Sequence, residues 1–107
     1  TARVLSGYSD IIVMRHEIAG SVAEFAEASR VPVINGGDGP NEHPSQALLD
    51  LYTIRKEVMD RGKGIDGLRI ALVGDLKYGR AVHSLCKLLT LYDDINFTLI
   101  SPPELHP

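Results

Sequence analysis

Gly36-Gly37-Asp38-Gly39-Pro40-Asn41-Glu42-His43-Pro44-Ser45-Gln46-Ala47-Leu48-Leu49-Asp50-Leu51 is the stretch on which the fold of this chain turns. A short apolar run, Val31 to Ile34, precedes it and a long amphipathic pattern follows, so it reads as strand, polar loop and helix. The glycines permit a close backbone approach to a ligand. Pro44 suits a first helical position, where its missing N–H costs nothing and its fixed φ pre-forms the turn. The N–H groups just after it lack intrahelical partners and carry the positive end of the helix dipole, a setting for an anion or a polarised oxygen. His43 and Gln46 stand three residues apart at that mouth, close enough to touch one small ligand.

Upstream, Asp10-Ile11-Ile12-Val13-Met14-Arg15-His16 reads as a strand buried on both faces, as in parallel sheets. Arg15 falls at its carboxyl end, where ligands bind in open α/β sheets. Ser21 to Ser29 is expected to form a short helix with Val22, Phe25 and Ala26 inward and Glu24 and Glu27 outward. Val31 to Asn35 is the next strand, with Pro32 near its start, where a donor is least missed. This β-α-β order delivers Arg15 and His43 toward one edge of the same sheet.

Downstream, a helix from Pro44 to about Arg61 places Ala47, Leu51, Ile54 and Val58 on one stripe. Arg55, Lys56 and Arg61 are expected near its negative end, with Gly62 as the stop. Residues 61–67 are glycine-rich and charged, and predict a boundary, giving one subdomain over 1–61 and a second over 62–107. In the second, Leu68 to Gly74 reads as a strand, Asp75 to Gly79 as its exit loop and Arg80 to about Leu91 as a helix. Val82, Leu85, Cys86 and Leu89 face inward on that helix, which makes Cys86 a core filler. Asn96 to Ile100 is a further strand, and Ser101 to Pro107 a loop. The fold class is α/β: parallel sheets with flanking helices, parts of two doubly wound subdomains joined by a linking helix. A chain stopping just after a strand in this pattern predicts a truncated second domain.

With 107 residues, 44% of them apolar, and a net charge of −3, there is material for one small domain or a piece of something larger. No basic cluster marks a nucleic-acid site. No apolar run is long enough for a bilayer, and the first residues show no signal-peptide pattern. One cysteine excludes an internal disulfide framework and a Cys-rich zinc site, and fits a reducing, cytoplasmic setting. The four histidines are scattered without the spacing of a helical zinc site, and no cofactor or metal is expected.

Gly74-Asp75-Leu76-Lys77-Tyr78-Gly79-Arg80-Ala81 has the glycine spacing of a phosphate-binding P-loop but fails where that mechanism lives. Arg80 replaces its lysine and Ala81 its hydroxyl, so nucleotide hydrolysis is rejected. What remains is a helix N-terminus with an arginine, suited to bidentate pairing with a carboxylate. No serine lies in a nucleophile elbow. Two arginines, one histidine and one glutamine at element ends suit direct transfer of an acyl-like group from an anionic donor to an amine.

With these residues in hand, the sequence resembles the catalytic chains of the aspartate carbamoyltransferase family along nearly its whole length. Val13-Met14-Arg15-His16, Asn35 to Gly39, His43 to Leu51 and Val73 to Arg80 carry the resemblance. The His-Pro-x-Gln-x-Leu-x-Asp pattern is shared by carbamoyltransferases in general, whereas Leu76-Lys77-Tyr78-Gly79-Arg80 resembles the aspartate-using branch. The resemblance implies transfer of a carbamoyl group from carbamoyl phosphate to L-aspartate, the committed step toward pyrimidines. It implies Arg15 on the donor's phosphate and carbonyl oxygens, His43 on that carbonyl oxygen, Gln46 on the carbamoyl NH₂ and Arg80 on an aspartate carboxylate. Arg15 and His43 would be the catalytic pair. It also implies a homotrimer with shared active sites, and leaves regulatory chains or fused pyrimidine enzymes open.

Glu17, Glu42 and Ser45 depart from residues common in the family, and Glu42 would add negative charge near an anion site. The family's Ser-Thr-Arg-Thr loop, its lysine from a neighbouring subunit and its Arg-x-Gln loop have no counterpart here. The chain is therefore expected to be the middle of a polypeptide: the second part of a carbamoyl-phosphate domain over 1–61, including the linking helix, and the start of an aspartate domain over 62–107. It is expected to be inactive by itself. Two alternatives stay open, a carbamoyltransferase acting on another amine such as ornithine, and a non-catalytic anion-binding or assembly module.

Overall fold

A computed structural model describes all 107 residues, Thr1 to Pro107. The elements are α1 (Ala2–Ser6), β1 (Ile12–His16), α2 (Ser21–Ala28), β2 (Val33–Asp38), α3 (Pro44–Asp60), β3 (Arg69–Val73), α4 (Arg80–Leu89) and β4 (Asn96–Ile100), then one 3₁₀ turn at Pro103–Leu105. The fold is α/β, with two separate parallel sheets, β1 beside β2 and β3 beside β4. Each pair is joined through a helix, as parallel neighbours require.

Two compact units result, Thr1–Ser45 and Gln46–Pro107. The division between them falls at 45/46. The reason is packing: Leu51, Ile54 and Val58 of α3 lie against the buried cluster Ile65, Leu72, Leu76, Leu85 and Leu89, so the long helix belongs with the strands that follow it.

In the first unit, α2 packs on β1 and β2, with Val22 buried and Phe25 and Ala26 half-buried on the inward face. The expected burial of β1 on both faces is not what the structure shows. Ile12 and Met14 are half-buried, whereas Val13 is 68% exposed, because α2 covers one face and nothing in the unit covers the other.

The second unit holds the better-formed core. Leu89 is fully buried and Leu76 is 1% exposed, and Val82 and Cys86 pack beside them on the inward face of α4. Burial pushes the Cys86 thiol pKa up, as for a space-filling residue. Helix α3 ends in a Schellman turn. Gly62 N–H donates to the Met59 carbonyl at 2.9 Å and Lys63 N–H to the Val58 carbonyl at 2.8 Å, with Gly62 at φ +72°. No basic residue lies within its last turn; Arg55 and Lys56 fall earlier, and Arg61 directly follows the last helical residue, Asp60. No helix is long and apolar enough to cross a membrane.

Candidate active site

Because β1 and β2 run parallel, both leave the sheet at the same edge, and each carries one candidate residue out with it. Arg15 is the penultimate residue of β1 and is exposed. His43, half-buried, ends the loop after β2 and stands directly before Pro44, the first residue of α3.

The pairing of the two strands is regular only as far as Met14 opposite Asn35. The next partners are His16 and Asp38, so two steps along β1 answer three along β2. Such a bulge sharpens local twist and re-aims side chains, and this one lies across from Arg15. Glycines read as loop, so the sequence predicts a second strand that ends at Asn35. The strand runs on to Asp38 because Asn35 holds the bulge together: its Oδ1 accepts from Gly37 N–H at 2.8 Å and its Nδ2 donates to Asp38 Oδ1 at 3.2 Å.

Asp38 is the residue that sequence reasoning passed over. It is 3% exposed, and its carboxylate accepts four hydrogen bonds, two at each oxygen. Oδ2 takes Gly20 N–H at 3.0 Å and Asn41 Nδ2 at 3.3 Å, while Oδ1 takes Asn35 Nδ2 and, at 3.3 Å, Glu42 N–H. Its backbone is tied as well, donating to the Glu42 carbonyl at 3.4 Å and accepting from Asn41 N–H at 3.2 Å. The available signal was Asp-Gly in a turn context, which marks a side chain bonding nearby backbone. The bond to Gly20, eighteen residues away, leaves no such local trace.

These donors, Gly20 N–H first and then Asn35, outweigh the opposing effect of burial and hold the Asp38 pKa at about 2, against an ordinary 3.8. The folded protein therefore binds this proton less readily than the unfolded chain does. The stabilisation is present in full above about pH 4 and is lost as pH falls from there through the folded value. Urea midpoints measured across that acidic window are expected to drop, and Asp38→Asn is expected to flatten that part of the profile. An unchanged profile in the variant would assign the acid sensitivity elsewhere.

Ser45 Oγ lies 3.4 Å from His43 Nδ1. With the hydroxyl donating there, a neutral ring carries its proton on Nε2. Gln46 stands in the first turn of α3, counted with the second unit, and its Nε2 donates to Asp50 Oδ1 at 3.1 Å.

Arg80 also belongs to the second unit, as the first residue of α4, and is half-buried. A cation at the positive end of a helix is electrostatically unfavourable by itself, and a bound anion reverses that. The loop before it is pre-formed. Asp75 Oδ1 accepts from Lys77 N–H at 3.1 Å and Tyr78 N–H at 2.9 Å, and His83 Nε2 lies 2.7 Å from the buried Leu76's carbonyl oxygen. His83, another residue without a role in the sequence reading, thus fastens the loop to the helix that carries Arg80. The structure places Arg15 and the His43 loop at one edge of one sheet, and positions Gln46 and Arg80 each within the other unit.

Residues 1–56 match the family described as aspartate/ornithine carbamoyltransferase, carbamoyl-P binding domain. The chain belongs to that family. Among proteins similar to it, the aspartate carbamoyltransferase catalytic subunit of Cellvibrio japonicus is 76% identical over 105 residues, covering 98% of this chain and 31% of that protein. The catalytic subunit of Saccharophagus degradans is 71% identical over the same length and share. Among solved structures, the catalytic subunit of M. jannaschii aspartate transcarbamoylase in an orthorhombic crystal form superposes with a TM-score of 0.90 at 53% identity, covering 98% of this chain and 33% of that one. The Trypanosoma cruzi aspartate transcarbamoylase in complex with carbamoyl phosphate gives 0.83 at 46% identity, covering 97% and 31%. The chain thus spans about a third of the length of these relatives.

Proposed function

We propose that the protein carrying this chain transfers the carbamoyl group of carbamoyl phosphate to the amine of L-aspartate, giving N-carbamoyl-L-aspartate and phosphate, in the pathway toward pyrimidines. The observation that carries this reading is the parallel pairing of β1 with β2, which takes Arg15 and the His43 loop out at one sheet edge in a chain of the carbamoyl-phosphate-binding family. Solved relatives in complex with carbamoyl phosphate and with aspartate support both substrates.

The chemistry follows from the residue types. The amine lone pair forms a bond to the trigonal carbon, and negative charge grows on its carbonyl oxygen. Arg15 and an Nε2–H of His43 supply positive potential there, which lowers the barrier more than it stabilises the planar ground state. The carbon–oxygen bond to phosphate then breaks, and the departing phosphate takes up the proton that the amine loses. Gln46 holds the carbamoyl NH₂, and Arg80 pairs with a carboxylate of aspartate.

In this reading residues 1–61 supply the second part of the carbamoyl-phosphate domain with the linking helix, and 62–107 open the aspartate domain. A homotrimer with shared sites, regulatory or fused pyrimidine partners and a cytoplasmic location belong to the same proposal and rest on the family resemblance. The test is turnover of the full-length protein with carbamoyl phosphate and either aspartate or ornithine. Aspartate is expected to react, and Arg80→Gln to raise its KM roughly 10–100-fold through loss of a charge-assisted pair. Ornithine as the faster substrate, or an unaffected KM, would overturn the assignment of Arg80.

A further inference from the structure

Asp38 has no part in the chemistry above, yet its buried carboxylate accepts four hydrogen bonds. Burying a carboxylate is costly unless every acceptor site is matched, and here each oxygen has two donors. Those donors come from three stretches: the loop between β1 and α2, the bulge, and the loop that ends at His43. The loop that ends at His43 also meets the end of β1 through the backbone, Gly39 N–H donating to the His16 carbonyl at 2.7 Å.

We infer that Asp38 is a positioning residue for carbamoyl transfer: its buried carboxylate clamps the exit of β1, which bears Arg15, to the loop that presents His43. The inference rests on the proposed function and deepens it by assigning the clamp that sets those two residues in register. Asp38 touches no substrate in this account and acts through His43 and Arg15. Its depressed pKa agrees, since a clamp made of donors needs the ionised form, which persists throughout the range where enzymes work.

Asparagine is the informative replacement, being nearly identical in shape. Whichever way the amide turns, its NH₂ confronts two N–H donors that the carboxylate had satisfied. In the full-length protein, Asp38→Asn is expected to lower kcat at saturating substrates roughly 100-fold, the scale of a misplacement near 1 Å. KM for aspartate should move less than about threefold, because Arg80 is held by other contacts. In a His43→Ala background the same substitution should cost clearly less, because one of the two residues it positions is already gone.

Should Asp38→Asn fail to fold, Asn41→Ala carries the test. It removes one donor to Oδ2 at an exposed position and is expected to lower kcat several-fold, and by less when His43 is absent. A folded Asp38→Asn protein with kcat within twofold of the parent overturns the inference, as does an equal penalty with and without His43. If Asn41→Ala carries the test, the same two results for it overturn the inference. A parent protein that does not consume carbamoyl phosphate overturns the proposed function and this inference together, so the two failures are told apart.

Discussion

Arg15→Ala in the full-length protein is expected to lower kcat roughly 10²- to 10³-fold, the range measured when one donor to a developing oxyanion is removed. The size follows from where the charge appears. A guanidinium near the carbonyl oxygen gains most as the trigonal carbon becomes tetrahedral, so its loss falls on kcat as well as on KM for carbamoyl phosphate. Arg15→Lys keeps one charge but not the planar fork, and should recover only a minor part of the rate. Steady-state kinetics with each substrate varied in turn gives the split. A variant changed only in KM would demote Arg15 to ground-state binding, and one unchanged in both would remove it from the site. Thermal unfolding should be little affected, because Arg15 is exposed.

The second large effect is structural. Gly39→Ala is expected to destabilise the protein by about 2–4 kcal/mol, from left-handed backbone strain together with overpacking. Gly39 sits at φ +58°, and a methyl there would lie 2.5 Å from the Glu17 carbonyl oxygen and 2.8 Å from Ala19 N. Both atoms are backbone, so neither can swing aside. Gly20→Ala is the control: its φ is +83°, but nothing lies within 4 Å of the added carbon. It should cost about 1 kcal/mol, the strain without the collision. Urea unfolding at constant m-value compares the two. Equal costs would mean that the close approach of the two loops is not what glycine serves at 39.

Much of this architecture could be read from residue order. Asn96 to Ile100 forms β4 as expected, since a β-branched and aromatic run between turn residues has few other solutions. Pro44 opens α3, and the stripe of Leu51, Ile54 and Val58 faces the core by helical periodicity. Arg15 at the end of one strand and His43 after the next were legible because topology alone brings parallel neighbours out at one edge.

Three features were not legible, each for a physical reason. The apolar run at Ile11 to Met14 predicts burial on two faces but cannot say what would cover them. The unit boundary depends on which core α3 prefers, and its apolar stripe is silent on that. Asp38 depends on partners distant in sequence, and a charged residue among glycines reads as solvated loop until Gly20 is seen beside it.

The extra residue in β2 has a consequence of parity. In an uninterrupted strand, side chains an odd number of positions apart project to opposite sides of the sheet. Asn35 and Asp38 are such a pair, yet they share a hydrogen bond. The irregularity at Gly36 and Gly37 restores the count, and so decides on which side the carboxylate arrives. Removing one glycine would leave every polar group of the loop chemically intact and still turn that oxygen pair away from Gly20. What this segment must keep is therefore its length as much as its composition.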